Sequence, residues 1–207
     1  MKLYDSRRAP NPRRVRWFIA EKQLPEGAIE VIDVDLFGGQ HKTAEYLERA
    51  GVANVPALTM DDGTTVTESL AICRYLESLY PEPNLFGRDA KETAVIEMWT
   101  RRAELMAAMP LMMAVRHGHP ALAALETQIP EVAEANRAGA ERSLKLFDRQ
   151  LANTAWLAGE RVTIADGVLF IGMDFARMVR FKIPEELTHL SRWAEAMRAR
   201  ESAAAGT

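Results

Sequence analysis

The apolar and polar residues of the first 80 positions repeat with two periods, which predicts strands and helices in alternation. Four strands are predicted, at residues 2–4, 28–35, 57–61 and 64–67. Three helices are predicted, with first residues Asn11, Thr43 and Ser69. The order β-α-β-α-β-β-α predicts a partly parallel sheet, in which the apolar strand at 28–35 is expected to be an inner strand.

Local residue types at the element ends sharpen this pattern. Asn11 and Ser69 are expected to be helix N-caps, since their side chains accept hydrogen bonds from free backbone N–H groups. Asp62-Gly63 predicts a type I′ hairpin turn. Pro56 cannot donate a ladder hydrogen bond, so it is expected at a strand entrance, and Val55–Pro56 is a candidate cis bond. The last helix of this half is expected to bury the stripe Ile72, Cys73, Leu76 and Leu79.

The chain beyond a Pro- and Gly-rich connector at 81–87 is predicted to be entirely helical. Helices are expected at 89–117, 131–151, 163–180 and 184–200. Pro110 predicts a kink or break inside the first of them. Thr163-Ile164-Ala165-Asp166 reads as a capping box that starts a buried central helix, with a structural role for Asp166. The expected domains are residues 1–80 and 88–207, and residues 202–207 are expected to fray.

Composition and charge narrow the class of protein. The chain has 207 residues, of which 48% are hydrophobic and 27% charged, as in soluble globular proteins. A net charge of −3 gives no general basis for nucleic-acid binding. Cys73 is the only cysteine and is expected in the core, which favours a reducing compartment. With no apolar run near the roughly 20 residues of a membrane span, we expect a cytoplasmic protein without membrane or nucleic-acid partners.

The predicted helix start at Ser69 has the chemistry needed to bind the head group of an amino acid. Its free backbone N–H groups, its hydroxyl and the positive end of the helix dipole suit a carboxylate. Glu68, next to it, could hold an ammonium group. The backbone groups of Val55 could pair with an extended peptide as an added strand. No metal is expected.

Three motifs, in this order and spacing, resemble the cytosolic glutathione transferase superfamily over essentially the whole chain. They are Val55-Pro56-Ala57-Leu58, Glu68-Ser69-x-Ala71-Ile72-x-x-Tyr75-Leu76 and Thr163-Ile164-Ala165-Asp166. The resemblance implies a thioredoxin-like α/β domain followed by an all-α bundle, usually in a homodimer, with glutathione as co-substrate.

The resemblance also implies roles for single residues. Val55, before the cis proline Pro56, would bond the cysteinyl part of glutathione, and Glu68 and Ser69 would hold its γ-glutamyl end. The family often binds the glycine carboxylate at the positions of His41, Lys42 and Asn54.

The thiol-activating position departs from the common pattern of the family. Many members have Ser or Cys where this chain has Ala9. Asn11 resembles bacterial Nu-class and fungal prion-like members, in which an Asn faces the sulfur and disulfide reduction is prominent. Its amide could donate to a thiolate, with Arg7 or Arg8 adding positive charge and the proton leaving to water. Alternatively, Asn11 is only a helix cap, and Tyr4 or Ser6 activates the thiol.

The Met-rich helix after the connector corresponds to the one that lines the electrophile site in this family. The candidate pocket residues are Ala9, Arg102, Met106, Met109 and Met113; the methionines are alternatively core, and Arg102 a solvated or dimer-interface charge.

The implied function is glutathione-dependent attack on electrophiles, disulfides or peroxides. The alternatives are a non-catalytic carrier of glutathione and apolar ligands, and a regulatory partner protein on the same fold. The intact Glu68-Ser69 and Val55-Pro56 pairs argue against the regulatory protein.

Overall fold

The computed structural model describes residues 1–205, and the contacts within it divide the chain into two units. Among the described residues, the first unit holds Met1–Pro83 together with Ala204 and Ala205, and the second holds Asn84–Ala203. Gly206 and Thr207, which end the segment predicted to fray, lie outside the described residues.

The first unit has the predicted order of elements around a four-stranded mixed sheet. Its strands are β1 (Lys2–Asp5), β2 (Glu30–Asp33), β3 (Ala57–Thr59) and β4 (Thr65–Thr67). Its helices are α1 (Pro10–Glu21), α2 (Ala44–Ala50) and α3 (Ser69–Leu79). The sheet order is β2-β1-β3-β4, with β1 parallel to β2 and the other neighbours antiparallel. The thioredoxin-like architecture and the partly parallel sheet are therefore confirmed.

Strand β2 lies at the edge of the sheet, so the prediction of an inner strand was wrong. It is also shorter than expected, and Val31 is 54% exposed while Val34, just after the strand, is buried. An edge strand bonds to one neighbour only. Its apolar residues do not reveal this, because an apolar run looks the same in sequence at the edge and in the middle of a sheet.

The hairpin between β3 and β4 forms as predicted, but its turn is not type I′. The N–H of Gly63 donates to the carbonyl of Met60 at 3.1 Å, which places Asp61 and Asp62 at the centre of the turn. Gly63 alone in this loop has a positive φ, of 88°. Asp62 accepts from the N–H of Thr64 at 2.8 Å, and this Asx-type bond favours an ordinary turn followed by a left-handed glycine.

Neither expected N-cap is correct. Helix α1 already begins at Pro10, with Ala9 at the cap position, because proline suits the first helical residue; Asn11 is therefore in the first turn. Ser69 is the first residue of α3 and Glu68 occupies its cap position, without a side-chain cap bond. Within the predicted apolar stripe of α3, Leu79 lies at the C-terminal end of the helix and is 46% exposed, whereas Ile72, Cys73 and Leu76 are buried.

The second unit contains five α-helices among its described residues. They are α4 (Ala90–Arg102), α5 (Met109–Gly118), α6 (Pro130–Leu151), α7 (Ile164–Phe175) and α8 (Thr188–Arg198). The all-α prediction is confirmed, but α8 starts later than expected, because residues 184–187 form a turn closed by Leu187 N–H to Pro184 O at 3.0 Å. No helix among the described residues is long and apolar enough to cross a membrane.

A π-helical stretch, Ala103–Ala108, joins α4 to α5 without a loop. The predicted disturbance at Pro110 is therefore a change of hydrogen-bond register rather than an end of the helix: the N–H of Met109 donates to Glu104, five residues back. Helix α7 packs closely on this stretch. A Cβ on Gly172 would lie 2.5 Å from the Cβ of Ala108, so only glycine fits at position 172.

Helix α7 is buried nearly all round, and the predicted capping box starts it. The fully buried carboxylate of Asp166 accepts hydrogen bonds from Thr163 N–H (2.9 Å) and Thr163 Oγ1 (3.0 Å). It also accepts from Leu157 N–H and Trp193 Nε1, both at 2.9 Å. Burial raises the pKa of Asp166, while these donors act in the opposite direction. Asp166 therefore connects three segments of the second unit.

Candidate functional site

One side of the candidate site is the chain that enters β3. The Val55–Pro56 bond is cis, as predicted. Val55 is buried, and its backbone N–H and C=O make no hydrogen bond within residues 1–205. From α2, Tyr46 donates its hydroxyl proton to the carbonyl of Asn54 at 2.6 Å, and burial raises the pKa of Tyr46 to about 12. The tyrosine therefore anchors this segment as a neutral donor and leaves the Val55 backbone groups available.

The other side is the start of α3, where the backbone is strained. Glu68 has φ 67° and ψ 115°, a conformation that residues other than glycine rarely adopt. Its exposed carboxylate has no partner among the described residues. The first intrahelical bond runs from Ile72 N–H to Glu68 O at 3.0 Å, so the N–H groups of residues 69–71 precede the helical ladder.

Ser69 is buried beside Arg14, which the sequence did not identify as a residue of the candidate site. Arg14 Nη1 donates to Ser69 Oγ at 2.9 Å, and both residues are buried. A hydroxyl has one proton to donate, and because its oxygen accepts from Arg14, that proton remains available for another acceptor. The sequence does indicate that Arg14 is buried, because it lies next to Val15 and one turn before Phe18, on the apolar face of α1.

The predicted glycine-carboxylate residues differ in exposure. His41 lies in a 3₁₀ turn at Gln40–Lys42 and is buried, and its Nδ1 has no partner within residues 1–205. Burial, with a smaller effect of Lys42, lowers the pKa of His41 and favours the neutral ring. Lys42 and Asn54 are exposed, and their side chains have no partner in the described part of the chain. Their contact with a ligand stays a prediction.

The segment around the start of α1 is a tight turn. Ala9 N–H donates to Ser6 O at 2.9 Å, which leaves Arg7 and Arg8 exposed at its centre. Asn11 is exposed just beyond, and its side chain has no partner among the described residues. Asn11 therefore does not cap its helix, and its contact with a thiol stays a prediction.

The two alternative thiol-activating residues are differently placed. Tyr4 belongs to a buried cluster, with its ring edge-on to Tyr46 at 6.1 Å between centroids and the guanidinium of Arg49 over its face at 4.7 Å. These contacts identify its ring as part of the core. Ser6 is half-buried and supplies the carbonyl that closes the turn before α1.

The predicted pocket methionines lie on the π-helical stretch Ala103–Ala108 and on α5, in the second unit. Met106 and Met109 are 39% and 49% exposed, and Met113 is half-buried. Met109 and Met113 are four residues apart in α5 and therefore lie on one face of it, whereas Met106 belongs to the π-helical stretch before α5. Arg102 places its guanidinium 4.7 Å from the ring centroid of Trp99, a cation–π contact within the same unit. Ala9, at the cap position of α1, belongs to the first unit, and its part in this pocket stays a prediction.

Comparisons with known proteins agree with this architecture. The model of the glutathione S-transferase N-terminal domain matches residues 3–84, and that of the C-terminal domain matches residues 103–201. Glutathione S-transferase 2 of Saccharomyces cerevisiae is 33% identical over 98% of this chain and 87% of that protein. The matches to both domain models and this full-length relative define the class: the chain belongs to the glutathione S-transferase family, and it is a glutathione transferase enzyme.

Two solved structures are particularly similar. The crystal structure of Gtt2 from Saccharomyces cerevisiae has a TM-score of 0.90 and 33% identity, over 98% of both chains. A glutathione S-transferase domain-containing protein from Marinobacter aquaeolei also has a TM-score of 0.90, with 34% identity over 98% of this chain and 99% of that one. The chain thus spans nearly the full length of both.

Proposed function

We propose that this enzyme binds glutathione between the Val55–Pro56 segment and the start of α3, and activates its thiol for attack on electrophiles and disulfides. The observation that carries the proposal is the start of α3. There, the unpartnered carboxylate of Glu68 stands next to the buried hydroxyl of Ser69, which Arg14 orients. The ammonium of an amino-acid head group complements the Glu68 carboxylate, and its carboxylate complements the Ser69 hydroxyl.

Each part of glutathione has a complementary group in this proposal. The γ-glutamyl ammonium pairs with Glu68, and its carboxylate accepts from the Ser69 hydroxyl and the first N–H groups of α3. The cysteinyl backbone pairs with the unbonded N–H and C=O of Val55, as in an added strand. The glycine carboxylate meets the side chains of Lys42, Asn54 and His41.

The proposed role of Asn11 is to donate its amide N–H to the glutathione thiolate. A thiol with a pKa of about 8.5 is only a few per cent ionised at neutral pH, so the thiolate must be stabilised. Asn11 stands in the first turn of α1, which contains no acidic residue, and the positive end of the helix dipole adds to its effect. An amide is not a base, so the thiol proton leaves to water.

For the second substrate, we favour a disulfide over a strong electrophile. Thiolate stabilisation by one amide leaves the sulfur more nucleophilic than strong stabilisation does. The thiolate attacks one disulfide sulfur and forms a mixed disulfide, and the other sulfur leaves as a thiolate that takes a proton from water. The side chains of Met106, Met109 and Met113 offer an adaptable apolar surface to either class of second substrate.

The proposed working form is a cytoplasmic C₂ homodimer, in which the thioredoxin-like domain of one subunit contacts the first long helices of the other. Large apolar side chains are exposed on both surfaces, with Phe37 on the first unit and Met98 and Leu105 on the second. Burial of such residues is typical of homodimer interfaces. Light scattering at micromolar concentration should report twice the chain mass of 23.1 kDa, and the mass of a monomer would contradict the dimer.

Calorimetric titration with glutathione tests the proposed function directly. We expect saturable binding, lost or strongly weakened in Ser69→Ala. Glu68→Ala should weaken binding as well, and Glu48→Ala is the control for that variant, because Glu48 is an exposed acidic residue of the same unit without a partner among the described residues. Absence of heat with the unmodified protein up to millimolar glutathione would refute the proposal.

A further inference from the structure

The chain around the start of α1 concentrates positive charge. Residues 6–20 contain five arginines and no acidic residue, on a protein whose overall charge is −3. The first turn of α1 has no acidic residue either, so no side chain there offsets the positive end of the helix dipole. A local excess of one sign of charge raises the local concentration of ions of the opposite sign.

Two of the five arginines have structural contacts. Arg14 is buried in the packing between α1 and α3. Arg16 pairs with the buried carboxylate of Asp5, and its Nη2 donates to the carbonyl of Arg7 at 2.7 Å. Through these two bonds, Arg16 connects the turn before α1 to the end of β1. Arg16 is therefore a positioning residue for the turn.

That turn carries two further arginines on its outer side. Arg7 and Arg8 are exposed at its centre, and the side chain of Arg8 has no partner among the described residues. Asn11, the proposed donor to the glutathione sulfur, lies three residues after Arg8. Three residues span at most about 11 Å, and the Debye length at physiological ionic strength is about 8 Å. The charge of Arg8 therefore acts on a molecule that reacts at the sulfur.

We propose that Arg7 and Arg8 select second substrates with a negative charge, such as disulfides that carry carboxylates. This proposal rests on the proposed function and specifies the substrate class of that site. The thiolate of glutathione forms a bond to one disulfide sulfur as the sulfur–sulfur bond breaks. The other sulfur leaves with the electron pair and takes a proton from water. The guanidinium groups stay protonated throughout and attract the carboxylate of the approaching substrate.

Charge selection differs from a general effect of the arginines on the thiolate. Stabilisation of the thiolate would change the rate with every second substrate by a similar factor, because the same sulfur attacks each of them. Selection by charge changes the rates with anionic and cationic substrates in opposite directions. Substrates of different charge therefore separate the two roles.

Three small disulfides test the proposal: dithiodipropionate is dianionic, hydroxyethyl disulfide is neutral and cystamine is dicationic. We would measure kcat/KM for their reduction by glutathione in the unmodified protein and in Arg7→Gln/Arg8→Gln. The ratio of variant to unmodified protein cancels the intrinsic reactivity of each disulfide. Relative to the neutral disulfide, this ratio should fall about fivefold with dithiodipropionate and rise with cystamine, as two exposed charges together allow.

The control variant is Lys145→Gln/Arg149→Gln, which removes the same charge from two exposed residues of α6. Its three ratios should be equal. In the unmodified protein, high ionic strength should lower the rate with dithiodipropionate relative to the neutral disulfide. Conjugation allows the same comparison between 1-chloro-2,4-dinitrobenzene and the anionic 4-chloro-3,5-dinitrobenzoate, in which the sulfur bonds to the ring carbon and chloride leaves.

Equal ratios across the charge series in Arg7→Gln/Arg8→Gln would overturn the proposal, as would the same change in the control variant. The proposed function survives either result, because glutathione-dependent turnover remains. Absence of turnover with every substrate in the unmodified protein would refute the proposed function, and the charge selection with it.

Discussion

Helices α3 and α7 both begin beside an acidic residue, but the two carboxylates are in opposite situations. Asp166, in the first turn of α7, is fully buried and accepts hydrogen bonds from three segments of its unit. Glu68, at the cap of α3, is exposed, has no partner among the described residues and has a strained backbone.

This difference is the one expected between a structural carboxylate and a carboxylate that binds a ligand. A buried polar group with a full set of partners stabilises the fold. A strained, unpartnered group contributes nothing comparable to stability, and such strain is concentrated at ligand sites. Variants at the two helix starts should therefore separate stability from binding.

The largest expected effect is on the stability of Asp166→Ala. The substitution removes the acceptor of four buried donors: the N–H groups of Leu157 and Thr163, the Thr163 hydroxyl and Trp193 Nε1. Because each unsatisfied buried donor costs about 1–3 kcal/mol, the free energy of unfolding should fall by about 4 kcal/mol or more. Urea unfolding measures it, with Glu134→Ala, an exposed residue of α6, as the control. A loss below about 1 kcal/mol would show that Asp166 is not structural.

Glu68→Ala should give the reverse result. The affinity for glutathione should fall by about 1.5–3 kcal/mol, the range for hydrogen bonds to charged groups, while the free energy of unfolding changes by less than about 0.5 kcal/mol. Calorimetry and urea unfolding on the same samples measure both, beside Glu48→Ala. An unfolding loss as large as the binding loss would make Glu68 a structural cap and would remove the contrast with Asp166.

Asn11 allows the comparison to be extended to the start of α1. Asn11→Asp keeps a polar side chain but replaces an amide donor with a carboxylate, so it should fold normally and react about ten- to a hundredfold more slowly. Because Asn11 makes no cap bond, Asn11→Ala should also keep its stability. Conjugation of a model electrophile and reduction of a small disulfide by glutathione are the assays. Full rates in both would exclude contact between Asn11 and the sulfur and would direct attention to Ser6 and the arginines.

The smallest expected effect is a pH dependence that comes from Tyr46. Burial raises the pKa of its hydroxyl to about 12 in the folded protein, above the usual value of about 10 in the unfolded chain. The free energy of unfolding that comes from this pKa difference is fully present below pH 10. It is lost as the pH rises toward 12, because only the unfolded tyrosine ionises in that range. Between pH 9 and 11, the unmodified protein should lose about 1 kcal/mol more unfolding free energy than Tyr46→Phe. Parallel curves for both proteins would contradict this.

Several features of the fold follow from residues close together in the chain, and the sequence predicted them correctly. The order of the elements, the cis bond before Pro56 and the capping box at Thr163 each depend on a few neighbouring side chains. The disturbance at Pro110 has the same origin, because a missing N–H and a ring clash act within one helical turn.

The features that the sequence did not determine depend on residues that are distant in the chain. Strand β2 lies at the sheet edge because it pairs with β1 alone, and the apolar content of a strand does not determine how many neighbours it has. The bond from Arg14 to Ser69 joins residues 55 positions apart and forms only when α1 packs on α3. The donors to Asp166 from Leu157 and Trp193 were likewise decided by the tertiary structure, because they come from segments packed against the start of α7 and not from its capping box.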